Sequence, residues 1–139
     1  MMYLGFNTIA RRKLNSASFQ YNGNELPIYF SGDWEEDKGA HIRTLIYSNE
    51  PEATEFGFSA PENVTGYIQL GVFLPATDKG LDYSLNELAS QIHTEFNRSN
   101  FVDGNYKVEW LNVRRENEIR VDGHYTVTLR VNYRYFHCN

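Results

Sequence analysis

The sequence predicts a single α+β domain: a mostly antiparallel β-sheet with an N-terminal helix and one long central helix packed on one side of it. Three observations predict it. Apolar residues recur at three- and four-residue spacing near the start and again over 81–96, as the buried stripe of a helix does. Elsewhere the pattern alternates, most clearly over 64–74 and 125–136, which is the two-residue period of a strand with one buried face. The resulting order is helix, strands, helix, strands, rather than the regular βα alternation of a parallel sheet.

Length and composition agree with one unit. A chain of 139 residues supports one core but not two independent halves with a site between them. Hydrophobic residues make up 41% and charged residues 22%, an ordinary globular balance. The aromatic share of 15%, with 10 Tyr and 9 Phe, favours strands and packed or interfacial surfaces.

Tyr3, Phe6, Ala10 and Leu14 form the first stripe, in a helix that ends near Asn15 and Ser16. Tyr21-Asn22-Gly23-Asn24 is a turn. Leu26 to Phe30 is a short strand, with Pro27 at its start or on a sheet edge because proline has no N–H for a ladder. Ser31 to Gly39 is an exposed charged loop around Trp34. His41 to Tyr47 and Ala53 to Phe58 read as two strands that could form a long hairpin. Val64 to Leu74 places Gly66, Ile68, Leu70, Val72 and Leu74 on one face and ends at Pro75. Leu81, Leu85, Leu88, Ile92 and Phe96 mark the central helix, starting as early as Lys79, with Ser84 and Glu87 at capping-box spacing. Asn105 to Arg114 is a strand, Glu116 to Glu118 a turn, and Asp122-Gly123 a second turn or bulge. The closing strand carries Tyr125, Val127, Leu129, Val131, Tyr133 and Tyr135 on one face. Thr126, Thr128, Arg130, Asn132, Arg134 and Phe136 occupy the other, wetted face.

Chemistry-bearing patterns are scarce. His41, His93, His124 and His137 are scattered, and the neighbours His137 and Cys138 point opposite ways on an extended segment, so no metal site is expected. Cys138 cannot form an internal disulfide, and no glycine-rich phosphate cradle or nucleophile elbow is present. No cofactor and no enzymatic activity are expected. The N-terminal stretch lacks the apolar core of a signal peptide, and no apolar run reaches the roughly 20 residues of a membrane span.

Net charge is −5, unevenly spread. Residues 33–62 hold eight acids (Asp33, Glu35, Glu36, Asp37, Glu50, Glu52, Glu55, Glu62) against Lys38 and Arg43. The basic runs Arg11-Arg12-Lys13 and Arg114-Arg115 are short and read as solvated faces, so tight nucleic-acid binding is not expected. Trp34, set among acids in a loop, is either folded back or offered to a partner. Trp34, Glu35, Glu36, Asp37, Glu50, Glu52 and Glu55 are therefore the candidate lumen or partner surface.

Gly66-Tyr-Ile-Gln-Leu-Gly-Val-Phe-Leu-Pro75, the break through Lys79-Gly80, Leu85 to Ile92 leading to Phe96, and the closing Asp122 to Arg134 together resemble the bacteriophage tail terminator family. The likeness lies in the order of elements over nearly the whole chain; the Trp34 loop and residues 48–62 have no counterpart in it. The resemblance implies a virion protein, assembled in the host bacterial cytoplasm as a homo-oligomeric ring, taken as a hexamer. Such a ring would cap the tail tube protein, stop its polymerisation and face the head connector protein, with DNA passing through the lumen without specific binding. An acidic segment 33–62 lining that lumen would repel phosphate. Two other readings stay open: a different head-tail connector or tail-completion protein, and a small-ligand-binding α+β domain.

Overall fold

Both helices form where the apolar spacing puts them. In the computed structural model, which describes residues 2–30, 39–48, 52–53, 62–96, 100–103, 106–116, 118–121 and 123–137, helix α1 spans Met2–Ser16 and buries Ile9, Ala10 and Leu14. Its last turn is closed by the Ser16 hydroxyl and the Ala17 N–H, which both donate to the Lys13 carbonyl. Helix α2 spans Leu81–Phe96, about 24 Å at 1.5 Å per residue, and buries Leu85, Leu88, Ala89, Ile92 and Phe96. It starts at Leu81 rather than Lys79 because Gly80 has φ +70°, outside helical backbone. The Ser84 N–H donates to the Gly80 carbonyl at 3.0 Å, so the Ser84 and Glu87 spacing falls inside the first turns and is not the cap.

Ten strands lie among the described residues. Strands β1 (Gln20–Tyr21) and β2 (Asn24–Glu25) make a separate hairpin. Its two-residue turn has Asn22 at φ 52° and Gly23 at φ 80°, the double left-handed turn whose twist matches that of the flanking strands. The other strands are β3 (Ile28–Phe30), β4 (His41–Ser48), β5 (Glu52–Ala53), β6 (Glu62–Pro75), β7 (Asn100–Asp103), β8 (Tyr106–Arg115), β9 (Ile119–Val121) and β10 (His124–His137). They form one sheet in the order β3-β4-β6-β10-β8-β7. Strand β3 follows Pro27 directly and lies at the sheet edge, as proline requires, but it runs parallel to β4.

The sheet is organised on β6 and β10, two 14-residue strands paired without a slip from His124↔Pro75 to His137↔Glu62. Within the described residues, the strand at 41–48 and Ala53, the first residue of the expected 53–58 strand, pair with β6 and not with each other. Strand β4 pairs with β6 from His41↔Phe73 to Ser48↔Gly66, and β5 pairs with β6 at Glu52↔Asn63. A strand has two edges; β10 fills one edge of β6, so β4 and β5 follow one another along the other. The remainder of the expected 53–58 strand lies outside the described residues. Strands β8 and β9 share the far edge of β10 in the same way. Strand β7, which the sequence reading did not assign, is the antiparallel partner of β8.

One bulge resets the faces of β8 beyond Trp110. Val113 pairs with Val131 and Trp110 with Tyr133, so Leu111 and Asn112 together oppose Asn132. Without that extra residue Trp110 and Val113 would point to opposite faces; with it both join the helix side.

One core results. It gathers Val64, Ile68, Leu70, Val72 and Leu74 of β6, Val127, Leu129, Val131, Tyr133 and Tyr135 of β10, Val108 and Trp110 of β8, and the buried stripes of α1 and α2. The helices lie side by side on that face, where Lys13 of α1 is 3.2 Å from Glu95 of α2. Gln91 of α2 bonds both the N–H and the carbonyl of Gln20, holding the small hairpin in place. Among the described residues, neither helix covers the opposite face of the sheet.

Candidate functional site

Of the surface expected from sequence, Trp34, Glu35, Glu36, Asp37, Glu50 and Glu55 lie outside the described residues. Glu52 opens β5, at the end of the sheet where β6 begins. The feature that the described residues assemble is instead the open face of the sheet. Strand alternation builds it: each residue paired directly with an outward neighbour is itself outward.

Four arginines and a set of rings occupy this face. The Arg43 guanidinium lies 4.5 Å from the centroid of Phe73, and His41 stacks on the same ring at 4.9 Å and 5°. Gly71 leaves room for that ring, since a Cβ there would be 3.0 Å from it. One step along, Arg130 lies 4.3 Å from Tyr67, which is itself stacked with Tyr47 at 5.0 Å. Arg134 approaches Phe136 at 5.8 Å. Each such contact at a half-exposed site is worth about 0.5–1 kcal/mol. Asn132 donates to Asn112 at 3.0 Å across β10 and β8.

The face is basic in an acidic protein. Among the described residues, Arg43, Lys107, Arg114, Arg130 and Arg134 stand against Glu109, Glu116 and, through its pairing with Asn63, Glu52, while the whole chain has net charge −5. Lys107 pairs with Glu109 at 3.2 Å, and Arg130 is 3.7 Å from Glu116. Arg114 and Arg130 are directly opposed. The sequence reading treated Arg114-Arg115 as one solvated run, but alternation splits it. Arg114 is exposed on the open face; Arg115 turns to the helix side, bonding Asn86 of α2 and pairing with Glu118.

The histidines expected to be scattered are not all apart. His41 and His124 meet at 5.3 Å, and both ring systems contact the Gly39 carbonyl, at 2.9 and 3.2 Å. The Arg43 Nε–H donates to Nε2 of His41 at 3.2 Å, which fixes His41 as the tautomer that donates from Nδ1. Both nitrogens of His41 are therefore engaged. Among the described residues no group of three His, Cys, Asp or Glu could hold a metal ion, and no helix is long and apolar enough to cross a membrane.

The other surface features are shallow. A depression of about 420 Å³ lies between the start of α2 and β9, lined by Asp78, Asp82, Arg120 and Tyr125 among others. At its margin the Tyr21 hydroxyl donates to Asp78 at 2.6 Å; burial, with the carboxylate adding to it, pushes Tyr21 up to about 12. Tyr125 donates to Glu118 at 2.8 Å, and that bond raises its pKa above the ordinary tyrosine value. A second depression of about 390 Å³ lies between α2 and β8, lined by Asn86, His93, Val113 and Arg115.

Sequence reasoning found the outward residues of β6 and β10 but not their partners. The signal was present as Arg130 and Arg134 at even positions of an alternating strand. It became a site only through the register that sets Arg130 beside Gln69 and Arg114 and brings it over Tyr67.

No family model matches the chain, and no curated protein does. A solved structure whose name describes no function is similar to it, with a TM-score of 0.63 and 15% identity over 79% of each chain. At that identity the likeness shows a shared fold, the single-domain α+β arrangement of an antiparallel sheet with two helices.

Proposed function

We propose that this chain is a structural protein of a tailed bacteriophage, one protomer of a hexameric ring that caps the tail tube, ends its polymerisation and offers a surface to the head connector. One observation carries the reading: the elements on which the family resemblance rests are those on which the sheet is built. Strand β6 ends at Pro75, Gly80 opens α2, α2 ends at Phe96, and β10 returns along the whole of β6. The depressions beside α2 lie open at the surface, which favours a surface-acting protein over one that encloses a small ligand, because ligand pockets bury most of their occupant.

Electron microscopy of phage tails assembled with and without this protein tests the reading. Overlong tails in its absence support termination. Tails of normal length that fail to join heads favour a connector role, and normal virions overturn both.

A further inference from the structure

We infer that Arg114 and Arg130, with the Asn112 amide beside them, form a binding site for a phosphate group on the open face of the sheet. The site lies within one chain and does not rest on the ring reading.

Register makes the pair. Arg130 of β10 stands directly opposite Arg114 of β8, so both side chains leave the sheet on the same side, with Cβ atoms about 5 Å apart. Like charges in that position destabilise a strand pair, and the chain relieves this one only in part. Arg130 has Glu116 at 3.7 Å, whereas Arg114 is exposed and makes no hydrogen bond or ion pair among the described residues. Farther along the same strands the pattern differs: Glu109 stands opposite Arg134 and is 3.2 Å from Lys107. The residue directly across from Arg114 is another cation.

The donors converge at an accessible place. Arg130 lies over the Tyr67 ring at 4.3 Å, and its Nε is buried with no hydrogen-bond partner among the described residues, so the N–H groups it offers are those of its terminal nitrogens. Asn112 is two residues from Arg114 on the same face, where its Oδ1 accepts from Asn132 at 3.0 Å. That bond leaves the Asn112 NH2 group uncommitted among the described residues. Strand β7 pairs with β8 from Tyr106 to Glu109, so among the described residues the edge of β8 at Arg114 is open.

Charge and shape select the ligand. Two opposed guanidiniums, offset in part by Glu116, suit a group with more than one acceptor edge and more than one charge. A phosphate monoester carries about −1.5 to −2 charges at pH 7 on three acceptor oxygens. A lone carboxylate carries one charge and is matched by a single guanidinium fork. Bases add little here, because Tyr67 is already covered by Arg130 and Tyr47, so a nucleic acid would be held through its backbone.

Side-chain NMR of the full chain tests the site at about 100 mM NaCl, where charges are screened beyond about 10 Å. Inorganic phosphate should shift the Arg114 Nε–H and the Asn112 amide signals saturably, and extra NaCl at matched ionic strength should not. Arg114→Gln should weaken binding about tenfold, or about 1.4 kcal/mol, with an unchanged or higher urea midpoint because the opposed charge is gone. Arg114→Lys keeps the charge without the planar fork and should fall between the two. Arg134→Gln removes the same charge four residues farther along β10 from Arg130, about 13 Å, and should leave binding within about twofold. A short thymidine oligonucleotide, compared at equal phosphorus concentration, separates the sources: tighter binding than inorganic phosphate assigns the site to a nucleic-acid backbone, and weaker binding assigns it to a free phosphate or monoester. Either order supports the site. No saturable shift with either ligand, full binding by Arg114→Gln, or an equal loss in Arg134→Gln overturns it.

Discussion

Tyr133 of β10 lies directly opposite Gly66 of β6, and its hydroxyl reaches past the glycine to donate to the Tyr47 carbonyl of β4 at 2.8 Å. The same hydroxyl is 2.5 Å from the Ser48 hydroxyl, so one fully buried tyrosine ties three adjacent strands. Gly66 makes the path possible. A Cβ at that position would stand 2.1 Å from the Tyr47 carbonyl oxygen and 2.6 Å from the tyrosine hydroxyl.

Gly66→Ala should therefore cost about 3 kcal/mol or more, because backbone must move to admit the methyl group. Tyr133→Phe keeps the ring and removes only the hydroxyl contacts, so it should cost about 1–2 kcal/mol. Urea unfolding of both variants checks the order; an alanine as stable as wild type would mean the strands are farther apart than described.

Thr44 faces the helix side of β4, fully buried beside Leu70, and its hydroxyl has no hydrogen-bond partner among the described residues. Thr44→Val substitutes a methyl group of similar shape for that hydroxyl and should raise the unfolding free energy by about 1 kcal/mol. A lower midpoint in denaturant would show that the hydroxyl is satisfied after all.

Ile92 is fully buried on α2, whereas Tyr83 on the same helix is 74% exposed. Ile92→Ala should cost about 2–5 kcal/mol through lost burial and a residual cavity. Tyr83→Ala should stay within about 0.5 kcal/mol. Thermal melts of the pair measure how firmly α2 is held against β8 and β10.

Tyr21 holds its proton up to about 12, above the ordinary tyrosine value, because it is buried and donates to Asp78. A folded-state pKa above the unfolded one adds stability that is complete below pH about 10 and is lost as pH rises through 12. Unfolding free energy should drop by about 1–2 kcal/mol over that interval, and Tyr21→Phe should flatten the drop. An equal decline in both proteins would assign the alkaline loss to other groups.

Both helices, the two long strands and the buried side of α2 and of the two strands were legible in the sequence, because 3.6- and 2-residue periods report which residues share a face. Leu85 through Phe96 and Val127 through Tyr135 are buried as their spacing requires. Periodicity carries no information about partners. That β4 and β5 both take β6, that β3 runs parallel to β4, and that β7 exists at all follow from competition for a limited number of strand edges. The bulge in β8 likewise depends on what Tyr133 and Val131 demand across the sheet. The sequence also showed where acid is concentrated. Only register, which sets Arg114 opposite Arg130 and brings Arg43 and Arg130 over Phe73 and Tyr67, turned separate basic residues into one face.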